Sequence, residues 1–369
     1  MNPLFVKGSH FFEDIQPTFY PDLHLAVVTH LLDTPPVYLD CLQRFADVAM
    51  LLPKPKSISQ ETLEQVEKRF QVVIKSRSQM QSPEVTSAIL NSFIPKGDVV
   101  LVDIGGYFAA SLPEILPLLK SRLIGVVEVT ENGHQRYAAL PELPVPVLSL
   151  ARSPLKGPED YLTGQSIVYS AEALMRECHH IMNGGNAVVF GYGKIGRSIA
   201  KALHAKNINT KVVEIDPIRA IEAQSRGFDL IHKEEALPTC DVIFCATGNQ
   251  SLNNHDFNRV KNGAFIFSVT SSDDELDLAR ADSNFKINRV TQHISRYERL
   301  GQYFHLANRG NAINFIHNAE VGPYIYLVQG EAIAAIDYLY NNRLPCEITS
   351  LPVEYRRNLA KRWLTHFGG

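Results

Sequence analysis

The feature that most constrains this chain runs from residue 188 to residue 216. An apolar run, Val188–Phe190, leads into Gly191-Tyr192-Gly193-Lys194-Ile195-Gly196, then a helical stretch, then Val212-Val213-Glu214. A tight glycine turn needs a positive φ and no Cβ, and both Gly191 and Gly193 are able to supply that. The turn feeds a helix whose unpaired N–H groups and dipole suit a pyrophosphate. Gly196 lets that helix press on the preceding strand, and Glu214 ends a second strand where a ribose diol would lie. A glycine triplet alone is weak, because tight βα turns that bind nothing also carry one. Flanked by a strand, a helix and an acidic strand end, it predicts a Rossmann domain holding NAD. The acid at Glu214 repels a 2′-phosphate, which favours NAD over NADP.

Upstream of this signal, predicted strands at 22–29, 46–52, 99–103 and 124–129 alternate with predicted helices at 35–44, 59–70, 82–93 and 110–120. Such alternation implies a parallel sheet covered by helices on both faces. The proline-rich stretch 141–158 reads as the crossing between domains. A helix over 165–182 then leads to the glycine turn and to strands near 187–190, 211–215, 241–246 and 264–269. The helix over 324–340 is too apolar to stand alone, so it and a terminal helix near 352–365 are expected to return to the first domain. The fold class is therefore α/β, with two doubly wound domains. Residues 1–163 plus 323–369 form a substrate-binding-like domain, and 164–322 the Rossmann domain.

A formal net charge of −3 gives no electrostatic reason to expect nucleic acid as a partner. The five cysteines are scattered without CxxC spacing and read as free thiols, with no zinc site. No apolar stretch approaches the length of a membrane span, and Met1–Lys7 lacks a signal-peptide pattern, so a cytoplasmic protein is expected. His179-His180, adjacent on a predicted helix, diverge and cannot share one ion. The acidic run Asp273-Asp274-Glu275-Asp277 reads as charge at a helix start, and no metal is expected.

Several motifs in order resemble S-adenosylhomocysteine hydrolase. They are Asp103-Ile104-Gly105-Gly106, Glu128-Val129-Thr130-Glu131-Asn132-Gly133, Thr163-Gly164-Gln165-Ser166, Gly191–Gly196, Glu214–Ile218, Ala246-Thr247-Gly248-Asn249 and Gly310–Asn314. That family uses tightly held NAD to oxidise a ribose 3′-hydroxyl, eliminates the 5′ thioether, adds water and reduces the sugar again. The resemblance implies a cofactor set of Gly191, Gly193, Lys194, Ile195, Gly196, Glu214, Ala246, Thr247, Gly248, Asn249 and Asn314. It adds Thr130 and Asn132, where the family's threonines reach across from the first domain.

The chemical half of the resemblance is altered. Ile104 and Val129 stand where the family has an aspartate and a glutamate, and Pro154 where it has its proton-abstracting lysine. Pro158 and Glu159 replace an aspartate and an asparagine, and two histidine motifs are absent at Val269–Asp273 and Glu320–Pro323. Ordinary S-adenosylhomocysteine hydrolysis is therefore not expected. The family's C-terminal tail has no counterpart before Gly369, which weakens transfer of its tetramer; a homodimer is expected.

Hydride removal from a carbinol needs a base within hydrogen-bond reach. His30 sits where the family keeps a histidine, although a histidine at a strand end is often only a surface residue. Lys156 lies two positions from the lost lysine, and Glu159 puts a carboxylate where the family has an amide. Each also reads as a solvated charge. His317 and Glu320 follow Asn314 and, three apart, are able to share a helix face near the nicotinamide. The preferred reading is NAD-dependent oxidation, with or without elimination, of a nucleoside- or sugar-like secondary alcohol. The alternative is a homologue that holds NAD without catalysis, as a regulator or scaffold.

Overall fold

The computed structural model describes residues 3–15, 18–34, 36–270, 275–317 and 321–368. The chain divides into two units, Met1–Glu159 with Gly322–Gly369, and Asp160–Val321. The first break falls four residues before the expected 163/164, because the helix expected over 165–182 runs over Gly157–Glu177. Its early start is local: Ser153 caps the short turn Pro154–Lys156, and Pro158 sits in the first turn, where a missing N–H costs nothing. Its early end follows from His179, which adopts a left-handed φ of 60°. His180 is then carried to rings of the second unit, 5.2 Å from Phe265 and 6.0 Å from His305, rather than lying on a helix surface.

The first unit is built on β1 (Leu23–Leu31), β2 (Asp47–Ile58), β3 (Asp98–Asp103), β4 (Arg122–Glu128) and β5 (Val147–Ser149), with a short last strand, Ile348–Thr349. All pair parallel, in the order Ile348–Thr349, β5, β4, β3, β1, β2. Runs such as Val99–Val102 are apolar throughout because helices cover both faces of the sheet. Helices Pro3–Ile15, Val37–Phe45, Tyr324–Asn341 and Val353–Phe367 pack one face. Helices Pro83–Phe93 and Leu112–Ile115 pack the other. The helix expected from residue 35 starts at Val37 with Pro36 before it and no side-chain cap, since Thr34 turns back to Leu32 instead. Pro35 lies outside the described residues.

Strand order reverses between β1 and β3, which opens a crevice at the carboxyl ends of those two strands. β2 is the edge strand beside β1, so Pro53 and Pro55 interrupt no inner ladder. The register jumps there. Thr29 pairs with Pro53 and Leu31 with Ile58, so the bulge Lys54–Ser57 stands opposite His30 alone.

The second unit holds β6 (Asn186–Phe190), β7 (Asn209–Val213), β8 (Asp229–Leu230), β9 (Val242–Cys245), β10 (Phe265–Ser268), β11 (Lys286–Arg289), β12 (Ile294–Arg299) and β13 (Gln302–Ala307). Their order is β11-β12-β13-β10-β9-β6-β7-β8, parallel except for the antiparallel β11-β12-β13 edge. Arg299 pairs with Gln302 around Leu300-Gly301, both at positive φ, the two-residue turn that matches strand twist. Helices Gly157–Glu177 and Lys194–Ala205 pack one face of this sheet. The order reverses between β6 and β9, and the glycine turn leaves β6 at that point. No described helix is long and apolar enough to cross a membrane.

Candidate functional site

At the end of β6, Gly191 has φ +89°, and a Cβ there would meet the Ala246 carbonyl oxygen at 2.7 Å. Gly196 returns the helix so closely that its own Cβ would run into the Gly191 carbonyl. Gly193 departs from expectation. Its φ is −69° with extended ψ, so it needs no left-handed freedom; it caps the helix Lys194–Ala205. The closest atom to a Cβ at Gly193 would be Arg219 Nη1, 3.7 Å away, so its missing side chain leaves the helix N-terminus open. Of the first-turn residues, Lys194 reaches Asp160 Oδ2 at 3.3 Å, and Ile195 packs on the core.

Glu214 sits just past β7, and three backbone N–H groups fix its carboxylate. Oε2 accepts from Tyr192 at 2.6 Å, and Oε1 from Ile215 at 2.7 Å and Asp216 at 2.8 Å. The acid is thereby held against the glycine turn, in place for a ribose diol.

Ala246 leaves β9 by donating its N–H to Phe190 O at 2.8 Å, and Thr247-Gly248-Asn249 follow, with Gly248 at φ +69°. A buried carboxylate organises this turn. Glu275 Oε1 accepts from Gly248 N at 2.6 Å and Thr270 Oγ1 at 3.1 Å, and Oε2 from Thr247 Oγ1 at 2.8 Å. Burial raises the Glu275 pKa, and these hydrogen bonds pull it back. Glu275 is therefore a clamp on the turn, not a charge at a helix start; Asp273 and Asp274 lie outside the described residues. Asn314 Oδ1 is buried with no hydrogen-bond partner among the described residues. An orphaned acceptor of this kind, an open helix N-terminus and a fixed acid at a strand end fit NAD.

The first unit gathers a second set of polar groups at the carboxyl ends of its strands. His30 Nδ1 lies 2.6 Å from Ser57 Oγ. Ser57 Oγ also lies 3.2 Å from Lys54 O, to which its hydroxyl donates. Lys54 Nζ is 3.5 Å from where a Gly105 Cβ would stand, beyond the end of β3. Lys156 Nζ meets Glu159 Oε2 at 2.5 Å, with side chains only 12% and 17% exposed. Burial, then the Lys54 and Lys156 ammonium groups, lower the His30 pKa to about 3. Burial first, and then the two cations, hold His30 neutral at neutral pH.

Beneath this cluster, Asp103 and Glu128 are fully buried and paired across β3 and β4. Asp103 accepts from Tyr107 N, Phe108 N and Tyr137 Oη. Glu128 accepts from Gly105 N, Gly106 N, Thr130 N and Thr130 Oγ1. They shape the turns on which Ile104 and Val129 sit, and both of those apolar residues pack on the unit's core.

Residues 161–318 match the family model described as S-adenosyl-L-homocysteine hydrolase, NAD binding domain. The chain is an adenosylhomocysteinase-like NAD-binding protein. It is 30% identical over 281 residues to the adenosylhomocysteinase of a Nostoc species, covering 73% of this chain and 65% of that one. It is 29% identical over 283 residues to the adenosylhomocysteinase of Sulfurisphaera tokodaii, covering 73% and 66%. Similarity also extends to the S-inosyl-L-homocysteine hydrolase of Methanosarcina mazei, 28% over 280 residues, covering 73% and 67%. The chain thus spans about two thirds of the length of these relatives.

Within this adenosylhomocysteinase-like chain, the remaining expected residues are placed as follows. Thr130 caps the helix Glu131–Ala138, its Oγ1 donating to Glu128 and accepting from Gly133 N. Asn132 lies in the first turn of that helix. His317 ends a run of turns over residues 314–317, and Glu320 lies outside the described residues. His317 Nε2 is 3.8 Å from Glu177 Oε1, and its ring is 6.1 Å from that of Tyr169, both on the helix Gly157–Glu177. Arg219, Lys54 and Ser57 were not singled out by sequence, and Glu275 reads there only as charge at a helix start. Their sole sequence sign is position, within a few residues of a glycine turn or a strand end.

Proposed function

We propose that the chain oxidises a secondary alcohol of a nucleoside- or sugar-like small molecule with NAD. Gly191, Gly193, Lys194, Ile195, Gly196 and Glu214 would hold the cofactor's pyrophosphate and adenosine ribose. Ala246, Thr247, Gly248, Asn249 and Asn314 would line the rest, with Thr130 and Asn132 as first-unit contributors. When bound, NAD supplies a two-electron acceptor.

The observation that carries the reading is the Lys156–Glu159 contact of 2.5 Å. A lysine–carboxylate pair restores the donor types lost at Pro154 and Pro158, shifted along the chain by two residues and one. Passing a proton from Lys156 to Glu159 leaves an amine that takes the carbinol proton as the C–H bond breaks. His30, kept neutral, orients a substrate hydroxyl by hydrogen bonding. A carbonyl product results and acidifies the C–H on its neighbouring carbon; loss of that proton to a base forms the double bond as a leaving group on the next carbon departs. Cytoplasmic action as a homodimer completes the reading.

One observation favours the competing reading, an NAD-holding regulator without turnover: Ile104 and Val129 are absorbed in core packing where the family has carboxylates. Adding nucleosides, nucleotides and sugar alcohols to NAD-loaded protein and following absorbance at 340 nm separates the two. Cofactor reduction that is lost in Glu159→Gln supports oxidation. Saturating NAD with no reduction across the panel overturns it in favour of the regulator.

A further inference from the structure

The second unit has a cavity of about 370 Å³ between the helix Leu278–Asn284, the β11–β12 edge and the turn that follows β13. That volume lies in the span usual for small-molecule sites. None of the residues lining it belongs to the proposed cofactor set. In the turn, Asn308 and Arg309 both take a left-handed φ, 46° and 52°, with Gly310 next at 78°. Residues with side chains hold such a conformation only where their surroundings impose it, and they cluster at ligand sites. Here Asn308 donates its backbone N–H to His293 O at 2.6 Å and its side-chain amide to Ala312 O at 2.9 Å. The turn so fixed puts Arg309 on the cavity wall.

The charges on that wall do not balance. Arg289 gives Nε to Thr291 O at 3.1 Å and Nη2 to Gln292 O at 3.3 Å. Both acceptors are neutral carbonyls, which orient the guanidinium and leave its charge in place. Arg309 has no hydrogen bond and no ion pair among the described residues. Asp282 is the one carboxylate among the lining residues, and it accepts the Tyr297 hydroxyl at 2.9 Å. Two guanidinium groups against one carboxylate leave one net positive charge. His293 adds none at neutral pH: partial burial lowers its pKa, and although Glu177 opposes this, His317 and Arg289 reinforce it. The Ser295 hydroxyl offers a further donor, while Leu278 and Ile287 make part of the wall apolar. A planar guanidinium matches carboxylate and phosphate oxygens two at a time.

We infer that this cavity binds a small molecule through a carboxylate or phosphate group, held by the Arg309 and Arg289 guanidinium groups, with the ligand's apolar part against Leu278 and Ile287. The site is separate from the proposed oxidation and stands without it.

The test is a titration of NAD-loaded protein with phenyl phosphate and, separately, with benzoate, at ionic strength matched by chloride. Benzyl alcohol serves as the uncharged counterpart, and bound NAD keeps the anions from the helix N-terminus at Gly193. The His293 ring signals in an NMR spectrum of histidine-labelled protein are the readout, assigned through His293→Gln. A saturable shift with at least one anion is expected, absent with benzyl alcohol and weakened at least ten-fold in Arg309→Met. Saturation with phenyl phosphate alone points to a phosphorylated ligand, and with benzoate alone to a carboxylic acid. Neither anion moving the signals beyond chloride overturns the inference, as does benzyl alcohol binding equally well or Arg309→Met binding like the wild type. Should Arg309→Met fail to fold, Arg289→Met in the same titration decides it.

Discussion

Lys156 Nζ and Glu159 Oε2 stand 2.5 Å apart, three residues from one another across the start of the helix Gly157–Glu177. The spacing is the helical i,i+3 spacing, and Pro158 within it stiffens the first turn. With side chains mostly buried, the pair is short and little screened. Lys156→Met or Glu159→Gln is expected to slow single-turnover cofactor reduction by about 10²–10⁴-fold, the usual span for a proton-transfer group. NAD content, measured on the released cofactor, stays at the wild-type level in both variants, because neither residue is among the proposed NAD contacts.

Gly193 and Gly196 offer a contrast between binding and packing. A Cβ added at Gly196 would run into the Gly191 carbonyl, so Gly196→Ala forces the helix off the turn and lowers both Tm and NAD binding. A Cβ added at Gly193 meets no atom closer than 3.7 Å in the protein. Gly193→Ala is therefore expected to shift stability by under about 1 kcal/mol yet to weaken NAD by an order of magnitude or more. Calorimetric titration with NAD beside thermal unfolding checks the pair.

Glu275 is the hidden support of the cofactor turn. Glu275→Ala leaves the Gly248 N–H and the Thr247 and Thr270 hydroxyls without their buried acceptor. The orphaned Gly248 N–H costs about 1–3 kcal/mol, while the Thr247 hydroxyl still has Asn249 O to donate to. The variant should lose second-unit stability of about that size and bind NAD more weakly. Urea unfolding followed in the second unit measures the first effect and NAD titration the second. Glu275→Gln, which keeps one accepting oxygen, should fall between.

The parts of this molecule legible in its sequence are those governed by local rules. Gly191, Gly196 and Glu214 announce their roles because a turn, a close helix and a strand end each restrict the residue type. The alternation of strands and helices foretells the parallel strands of both sheets for the same reason. The β12–β13 hairpin stayed hidden, since Leu300-Gly301 is a poor advertisement for a turn that demands positive φ twice. Glu275 looked like one more acid in a run; only the fold shows it turned inward. Lys54 and Ser57 depend on a register jump against β1, and register between strands whose partners, such as His24 and Asp47, lie far apart in sequence is a tertiary fact. The Lys156–Glu159 pair was half legible: the spacing was visible, whereas the contact required knowing that the helix begins at Gly157.

The last prediction concerns pH. Asp103 and Glu128 face each other across β3 and β4, fully buried. Burial and the Asp103 charge push the Glu128 pKa up from 4.5 to about 8, and burial raises that of Asp103 too. In the unfolded chain Glu128 loses its proton near 4.5, so between about 4.5 and 8 the folded state binds the extra proton. Stability must then fall as pH rises through that window. His30 acts with the opposite sign lower down. It stays neutral in the folded chain to about 3, whereas the unfolded ring takes a proton below 6.5, so its contribution falls as pH drops from 6.5 toward 3. From about 4.5 to 6.5 the two nearly cancel, and above 6.5 the Glu128 effect stands alone. Urea unfolding of the first unit should therefore show stability level from pH 5 to 6.5 and declining toward pH 8. In Glu128→Gln the decline becomes shallower, whatever the variant's overall stability. In His30→Gln the level stretch becomes a decline that begins at pH 5. A wild-type profile that rises between pH 6.5 and 8 would show that the buried pair shares no proton.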